Sequence, residues 1–378
     1  MRAEILTIGT ELLLGEIVDT NTADVARAFR SIGADLFRTT TVGDNVERIA
    51  ESVREALTRS DVLLTTGGLG PTVDDPTREG IALALGVPLE FKPELWVQIQ
   101  ERFARFRRRP TENNRRQAQL PQGATAFENT VGTAPGFWAE SGGHLVIALP
   151  GVPEEMRHLL EREVLPFLRS RFALQEVIEV RILRTAGAGE SWLDQQIADL
   201  ERLSNPTVGV SAHPGRVDVR ITAKSKGREE ARELILPLEV ELRRRLGEAV
   251  YGADESTLEG AVAEGLERRG WGLVVIEAGT DGALGAAIPI AVAVNLDLSI
   301  GAANLPAQVR RQMGETGAHV GLALRLDHDG ERRSIEIAVV TPEAENHAQH
   351  SYGGPPGSAT EWAVSLALDS LRRSLASH

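Results

Sequence analysis

Cysteine is absent from this 378-residue chain. That excludes disulfides, thiolate nucleophiles and cysteine-ligated zinc or iron–sulfur centres. Lysine is almost absent: Lys92, Lys224 and Lys226 are the only three, and no Gly-x4-Gly-Lys-Ser/Thr loop occurs. A Walker-type nucleotide site is therefore excluded. The eight histidines show neither HxxxH nor HExxH spacing, so none reads as a zinc ligand. No GxSxG elbow supports serine hydrolase chemistry. The longest apolar run, residues 283–294, is interrupted by Pro289 and is too short to span a bilayer. Met1-Arg2-Ala3-Glu4 leads straight into a strand pattern rather than a signal-peptide pattern, so a cytoplasmic protein is expected. A net charge of −13 argues against whole-surface binding to nucleic acid or anionic membrane.

What remains is an ordinary globular composition, 42% hydrophobic and 25% charged. The length suits two or three domains of roughly 100–200 residues each. Over the first ~170 residues strand and helix patterns alternate. Ile5-Leu6-Thr7-Ile8 is a buried-type strand, and 22–33 a helix with Val25, Ala26, Phe29 and Ile32 on one face. A second strand spans 36–42, a second helix carries Val46, Ile49, Val53 and Leu57, and a third strand spans 62–66. Such alternation predicts an α/β fold with a doubly wound parallel sheet, whose ligands bind beyond the carboxyl ends of the strands. The loops Gly9-Thr10-Glu11, Gly43-Asp44-Asn45 and 67–75 all fall there. A later segment sets Leu95, Ile99, Phe103 and Phe106 against Arg102, Arg105 and Arg109, read as a solvated arginine face or a phosphate or partner contact.

Residues 171–252 read as a smaller β-α-β-β-α unit with a hairpin around Pro214-Gly215. Residues 253–378 return to α/β, with a Gly/Ala-rich middle, strands at 320–326 and 334–340, and a terminal helix from Ala359.

The stretch Thr65-Thr66-Gly67-Gly68-Leu69-Gly70-Pro71-Thr72-Val73-Asp74-Asp75-Pro76-Thr77 carries the strongest chemical signal. Glycines let backbone amides turn toward an anion, and a following helix adds its N-terminal dipole. Two carboxylates can hold a divalent cation against the same anion. Asp75 before Pro76 is also a natural helix cap, so it has two readings. Asp74 has no such alternative and is the better metal candidate. Glu11 and Asp44, at the ends of the first two strands, converge on the same region.

These segments are similar to the competence/damage-inducible CinA family. The resemblance rests on Gly9-Thr10-Glu11-Leu12-Leu13-Leu14-Gly15, Asp19-Thr20-Asn21, Thr41-Val42-Gly43-Asp44, the 67–77 stretch, Asn129-Thr130-Val131-Gly132-Thr133-Ala134-Pro135-Gly136 and Pro150-Gly151-Val152-Pro153-Glu154-Glu155-Met156. Ala186-Gly187-Ala188-Gly189-Glu190-Ser191, Asn205-Pro206-Thr207 and Arg220-Ile221-Thr222-Ala223 resemble the family's KH-like middle unit. The resemblance implies a MogA/MoaB-like domain over 1–170, a KH-like domain over 171–252 and a CinA C-terminal domain over 253–378. It further implies metal-dependent ADP-ribose pyrophosphatase activity, with Mg²⁺ or Co²⁺ and with K⁺ as a helper, in a homodimer. Asp44 and Asp75 correspond to the two aspartates implicated in MogA-like proteins. On this reading Asp44, Asp74 and Asp75 are catalytic and hold the metal. Gly67, Gly68, Gly70, Pro71 and Thr72 cradle the pyrophosphate. Asn21, Asn113 and Asn129 contact ribose or base, and Thr10, Glu11, Thr77, Gly151 and Glu154 complete the substrate site.

The C-terminal third departs from the pattern. Family members with nicotinamide mononucleotide deamidase activity carry Ala-Glu-Ser-Cys-Thr-Gly-Gly, where this chain has Ile276-Glu277-Ala278-Gly279-Thr280-Asp281-Gly282. Alanine replaces the serine, and no lysine follows Lys226, so nucleophile and cationic partner are both missing. An intact fold with a dead deamidase site at Glu277, Ala278, Gly279 and Thr280 is expected. Two alternatives remain: a molybdopterin-binding or adenylyltransferase-type protein, and a non-catalytic adaptor for competence or recombination proteins. The KH-like unit lacks a GxxG loop and the chain is acidic, so nucleic acid is not an expected partner, and neither is a membrane.

Overall fold

The computed structural model describes residues 1–105, 107–288, 291–295, 304–329 and 332–376. Phe106 and Pro289, both singled out by the sequence, lie outside the described residues. The chain divides into two compact units, residues 1–179 with 224–231, and residues 180–223 with 232–378. No helix among the described residues is long and apolar enough to cross a membrane.

The first unit opens with β1 (Arg2–Ile8), the short α1 (Thr10–Leu13), α2 (Thr20–Ser31), β2 (Asp35–Val42), α3 (Val46–Leu57) and β3 (Val62–Thr66). It continues with α4 (Thr77–Leu85), β4 (Leu89–Phe91), α5 (Pro93–Arg105), β5 (Gln119–Pro121), β6 (Thr125–Phe127), β7 (Gly136–Ser141), β8 (His144–Leu149), α6 (Pro153–Leu159) and α7 (Leu165–Arg171). Six strands form one sheet in the order β2-β1-β3-β8-β7-β6. The first four are parallel, and β7 and β6 are antiparallel additions at one edge. The sheet is covered on both faces, as doubly wound folds require. Leu6, Leu63 and Val146 pack with Ile49 and Val53 of α3, Ile81 of α4 and Ile99 of α5. Ile5, Leu64 and Ile147 pack with Val25 and Phe29 of α2 and Met156 and Leu159 of α6. All five β3 residues are buried, which is why that strand reads as an unbroken apolar and β-branched run.

Local sequence sets the element ends. Asp19 accepts from the Thr22 amide at 2.9 Å and Asn45 from the Arg48 amide at 3.0 Å, capping α2 and α3. The Asp19 cap starts α2 two residues earlier than the apolar periodicity suggests. β1 connects to β2 on one side, and the chain then crosses to β3 on the other. The strand order therefore reverses at the β1–β3 boundary, where loops leave in opposite directions and open a crevice.

The second unit begins in β9 (Val177–Ala186), followed by α8 (Glu190–Ile197), β10 (Thr207–His213), β11 (Arg216–Ser225), α9 (Arg228–Leu246) and β12 (Val250–Ala253). These strands form a sheet in the order β10-β11-β9-β12, with the expected hairpin turning at Gly215. β12 is a fourth strand that the sequence pattern did not reveal. Then come α10 (Leu258–Arg269), β13 (Leu273–Ala278), α11 (Ala283–Ala287), β14 (Val292–Asn295), α12 (Leu305–Thr316), β15 (Val320–Asp329), β16 (Arg332–Val340), β17 (Glu345–Tyr352) and α13 (Ala359–Ala376). Their sheet runs β14-β13-β15-β16-β17. Its core joins Val275, Leu324 and Ile337 to Val262 of α10 and Ala367 of α13, and Val309 of α12 packs with Ile276 and Ala323.

Candidate active site

Gly67 follows β3 at the crevice and adopts φ +104°; a Cβ there would fall 2.1 Å from the Ile8 carbonyl oxygen. Only glycine permits this approach of the β1 and β3 ends. The Gly67 amide donates to the Leu149 carbonyl at the end of β8 at 3.1 Å, and Gly151 lies against Gly67 from that side. Three strand ends are thereby drawn together beneath an open cleft of about 480 Å³. Glu11, Asp44, Gly67, Gly68, Gly70, Pro71, Thr72, Asp74, Asp75 and Gly151 line it, together with Gln117, Thr133 and Glu155.

The acidic residues are held in different ways. Asp44 accepts from the Thr10 amide at 2.8 Å, while the Thr10 hydroxyl accepts from the Asp44 amide at 3.1 Å. Thr10 thus ties the first two loops together rather than lining the cleft. Asp75 accepts from both the amide (2.8 Å) and the hydroxyl (2.6 Å) of Thr72 through one carboxylate oxygen. Helix α4 starts at Thr77 with Pro76 at its cap position and no side-chain cap. Asp75 therefore closes the glycine loop instead of capping the helix, because Pro76 displaces it one position outward. Asp74 and Glu11 are exposed on the rim.

Arg78, which sequence reasoning passed over, organises the loop from behind. Only 3% exposed, it donates to the Leu69 carbonyl at 2.6 Å and the Gly70 carbonyl at 3.1 Å. Burial depresses its pKa to about 10, so it stays charged at neutral pH. Arg116 donates to the Thr72 carbonyl at 2.6 Å and bridges to Glu79. With these carbonyls turned back onto two guanidinium groups, the amides of Gly68, Leu69 and Gly70 meet no acceptor among the described residues. Free backbone amides of this kind are donors suited to an anion. The only sequence signal for Arg78 was its place in the first turn after the loop.

Other expected residues sit elsewhere. Asn21 is buried beside a smaller cavity of about 120 Å³, and its amide nitrogen donates to the Thr66 hydroxyl at 3.1 Å and the Gly151 carbonyl at 2.8 Å. Thr77 is buried, its hydroxyl donating to the Gly67 carbonyl at 2.8 Å. Asn113 is exposed on the turn Glu112–Ala118 and lines neither cavity. Asn129 is buried and folds its own loop: its side-chain oxygen accepts from the Val131 and Gly132 amides, and its nitrogen donates to the Ala134 carbonyl and to Glu155. Glu154 is exposed and off the cleft, whereas its neighbour Glu155 lines it. Burial raises the Glu155 carboxyl, opposed by the hydrogen bond from Asn129.

No group of three or more His, Asp or Glu side chains forms a ready metal cage among the described residues. The cleft offers separate carboxylates, all oxygen donors. That set fits a hard divalent cation that takes one or two carboxylates and completes its shell with ligand phosphate and water.

At the end of β13, Glu277 is buried and its carboxylate is fully engaged. It accepts from the Thr280 hydroxyl at 2.7 Å and from the Leu284 and Gly285 amides at 2.9 Å each. Glu277, Gly279 and Thr280 thus build the turn into α11, and Ala278 adds only a methyl group.

An α/β domain with an acidic, glycine-lined cleft at its strand reversal is followed by a small α+β unit and a second α/β domain. Residues 4–170 match the family described as "Probable molybdopterin binding domain", and residues 180–252 match "Damage-inducible protein CinA KH domain". A CinA-like protein of Parasynechococcus marenigrum (strain WH8102) is 38% identical over 365 residues, covering 96% of this chain and 84% of that protein. A CinA-like protein of Prochlorococcus marinus (strain MIT 9313) is 44% identical over 286 residues, covering 75% and 67% respectively. A crystal structure of the CinA protein of Thermoplasma acidophilum, described as of unknown function, is 37% identical over 42% of this chain and 94% of that one, with a TM-score of 0.40. The chain belongs to the CinA family.

Proposed function

We propose that the first unit is a metal-dependent nucleotide-diphosphate hydrolase that cleaves ADP-ribose to AMP and ribose 5-phosphate. The observation that carries this reading is the loop 67–75. Gly68, Leu69 and Gly70, with free amides and the buried Arg78 behind them, line the same cleft as Asp44, Asp74 and Asp75. The amides and guanidinium charge suit a pyrophosphate, and separate carboxylates suit a cation that binds with it. Asp74 and the free carboxylate oxygen of Asp75 would hold that cation, with Asp44 or Glu11 as a further donor. When bound, it neutralises phosphate charge and favours attack by water. Arg78 and Arg116 keep the loop carbonyls turned away, and the Thr10–Asp44 pair holds the second loop in place. The C-terminal domain has no deamidase activity, since Ala278 offers no hydroxyl for attack and the Glu277 carboxylate serves the α11 turn.

The test is ADP-ribose turnover by the wild-type chain and by Asp74→Ala and Asp75→Ala, with Mg²⁺ and Co²⁺ titrated and K⁺ varied. Both variants are expected to lose metal-dependent hydrolysis. Asp74→Ala keeps the wild-type melting temperature, while Asp75→Ala also loosens the loop. Unchanged turnover in both variants would contradict the assignment.

A further inference from the structure

Glu155 has the marks of a working carboxylate rather than a structural one. It stands at the third residue of α6, yet its side chain makes no cap on its own helix, whose cap residue is Val152. It forms no ion pair among the described residues, and Arg102 acts on it only through space. Instead one carboxylate oxygen accepts from the Asn129 side-chain nitrogen at 2.6 Å. Asn129 is itself immobilised: its amide nitrogen also donates to the Ala134 carbonyl at 2.8 Å, and its side-chain oxygen accepts from the Gly132 amide at 2.8 Å. Arg102 pins the Asn129 carbonyl at 2.8 Å. The loop leaves room for this carboxylate and nothing more, since a Cβ on Gly132 would fall 1.8 Å from the Glu155 oxygen. The result is an oriented, half-buried carboxylate facing the cleft that holds Asp44, Asp74 and Asp75.

A general base needs access to the reacting site and a fixed orientation. Glu155 lines the cleft, is held by Asn129 and forms no ion pair among the described residues. We infer that Glu155 is a catalytic residue of the cleft, the general base that takes the proton from the attacking water. This rests on the hydrolase reading above. In the step, the water oxygen forms a bond to one phosphorus of the diphosphate as its proton passes to the Glu155 carboxylate. The bridging P–O bond breaks, and its electron pair stays on the bridging oxygen of the departing phosphate monoester. The proton is then released to solvent, which balances ADP-ribose plus water against AMP, ribose 5-phosphate and one proton. Asn129 is a positioning residue that acts through Glu155.

The groups that set this carboxylate's titration are Arg102 on α5, which favours the ionised form, and Glu154 beside it, which opposes it. Glu11, Asp44, Asp74 and Asp75 share the cleft. His158, one turn along α6, is bonded to Thr130 instead. Burial is the largest influence and favours the protonated form, so a base here titrates above the ordinary glutamate value of 4.5.

The experiment is the pH dependence of ADP-ribose hydrolysis by the full chain and by Glu155→Gln and Glu155→Asp, with AMP affinity measured alongside. Glu155→Gln is expected to lower kcat by about 100-fold or more, the range for loss of a general base. KM and AMP affinity should stay within about threefold, and the acid limb of the profile should disappear. Glu155→Asp should recover part of kcat and keep an acid limb. A Glu155→Gln variant with wild-type kcat and an unchanged acid limb would overturn the inference while leaving the hydrolase reading intact. Were Glu155→Gln not to fold, an Asp variant with no loss of kcat and an unmoved limb would overturn it equally. A wild-type chain inert toward ADP-ribose would overturn the hydrolase reading, and this inference with it.

Discussion

Arg78 shows most plainly how a single side chain turns a glycine-rich turn into a site. A buried guanidinium is expensive unless its donors are used, and here they hold the Leu69 and Gly70 carbonyls. Arg78→Met removes the charge and leaves those carbonyls without partners. A loss of about 1–3 kcal/mol by chemical denaturation is expected, with weaker pyrophosphate binding by calorimetry. Glu155 gives a second test at this scale. Because burial raises its folded pKa, the fold favours its protonated form. The stability tied to this group is full below its unfolded value and is lost as pH rises through the folded one. Glu155→Gln carries no such charge. It should melt with the wild type near pH 4, by this linkage, and above it at about pH 8. A parallel pH dependence in both proteins would contradict this. The sequence pointed to the neighbouring Glu154 because both acids sit in the first turn of α6. Which of two adjacent side chains faces the cleft depends on how the helix leaves Pro153, and composition does not encode that.

At the scale of elements, the parallel strands and their helices were legible because burial on both faces writes itself as runs such as Val62–Thr66. The Asp19 and Asn45 caps of α2 and α3 went unread, because apolar periodicity alone marked those helices in the sequence. Several strands were not legible either, among them β7, β12 and β17. β17 alternates polar residues, Glu345-Asn346-His347-Ala348-Gln349-His350-Ser351-Tyr352, and forms an edge of its sheet. Its pairing with β16 supplies what its own pattern lacks. The cap reading of Asp75 failed for a similar reason, since Thr72 offered its carboxylate nearer donors than the helix did. The turn after β13 carries a prediction of its own. Glu277→Ala should leave the Leu284 and Gly285 amides unpaired and destabilise the second unit by about 1–3 kcal/mol, without changing ADP-ribose turnover. Ala278→Ser should not create nicotinamide mononucleotide deamidase activity, because the lysine that the family pattern pairs with that serine is missing from the whole C-terminal third. Release of nicotinic acid mononucleotide by that variant would refute this.

For the whole molecule, the proposed chemistry lies in the first unit. The first unit has converging loops, free amides, a buried cation and unshared carboxylates. In the second unit, the residues that occupy the deamidase motif are spent on a turn. Much of this asymmetry was visible beforehand, in the intact motifs of the first 170 residues and the eroded one at 276–282. What was not visible is how the intact motifs divide their labour, with Thr10, Asn21, Thr77 and Asn129 holding loops, Arg78 bracing the glycine loop from behind and Glu155 lining the cleft. The most direct measurement is turnover by the full chain of ADP-ribose and of nicotinamide mononucleotide, each with Mg²⁺, Co²⁺ and K⁺ varied and products resolved chromatographically. Metal-dependent formation of equal AMP and ribose 5-phosphate, with nicotinamide mononucleotide untouched, is the expected result. Deamidation of nicotinamide mononucleotide without ADP-ribose hydrolysis would contradict the account.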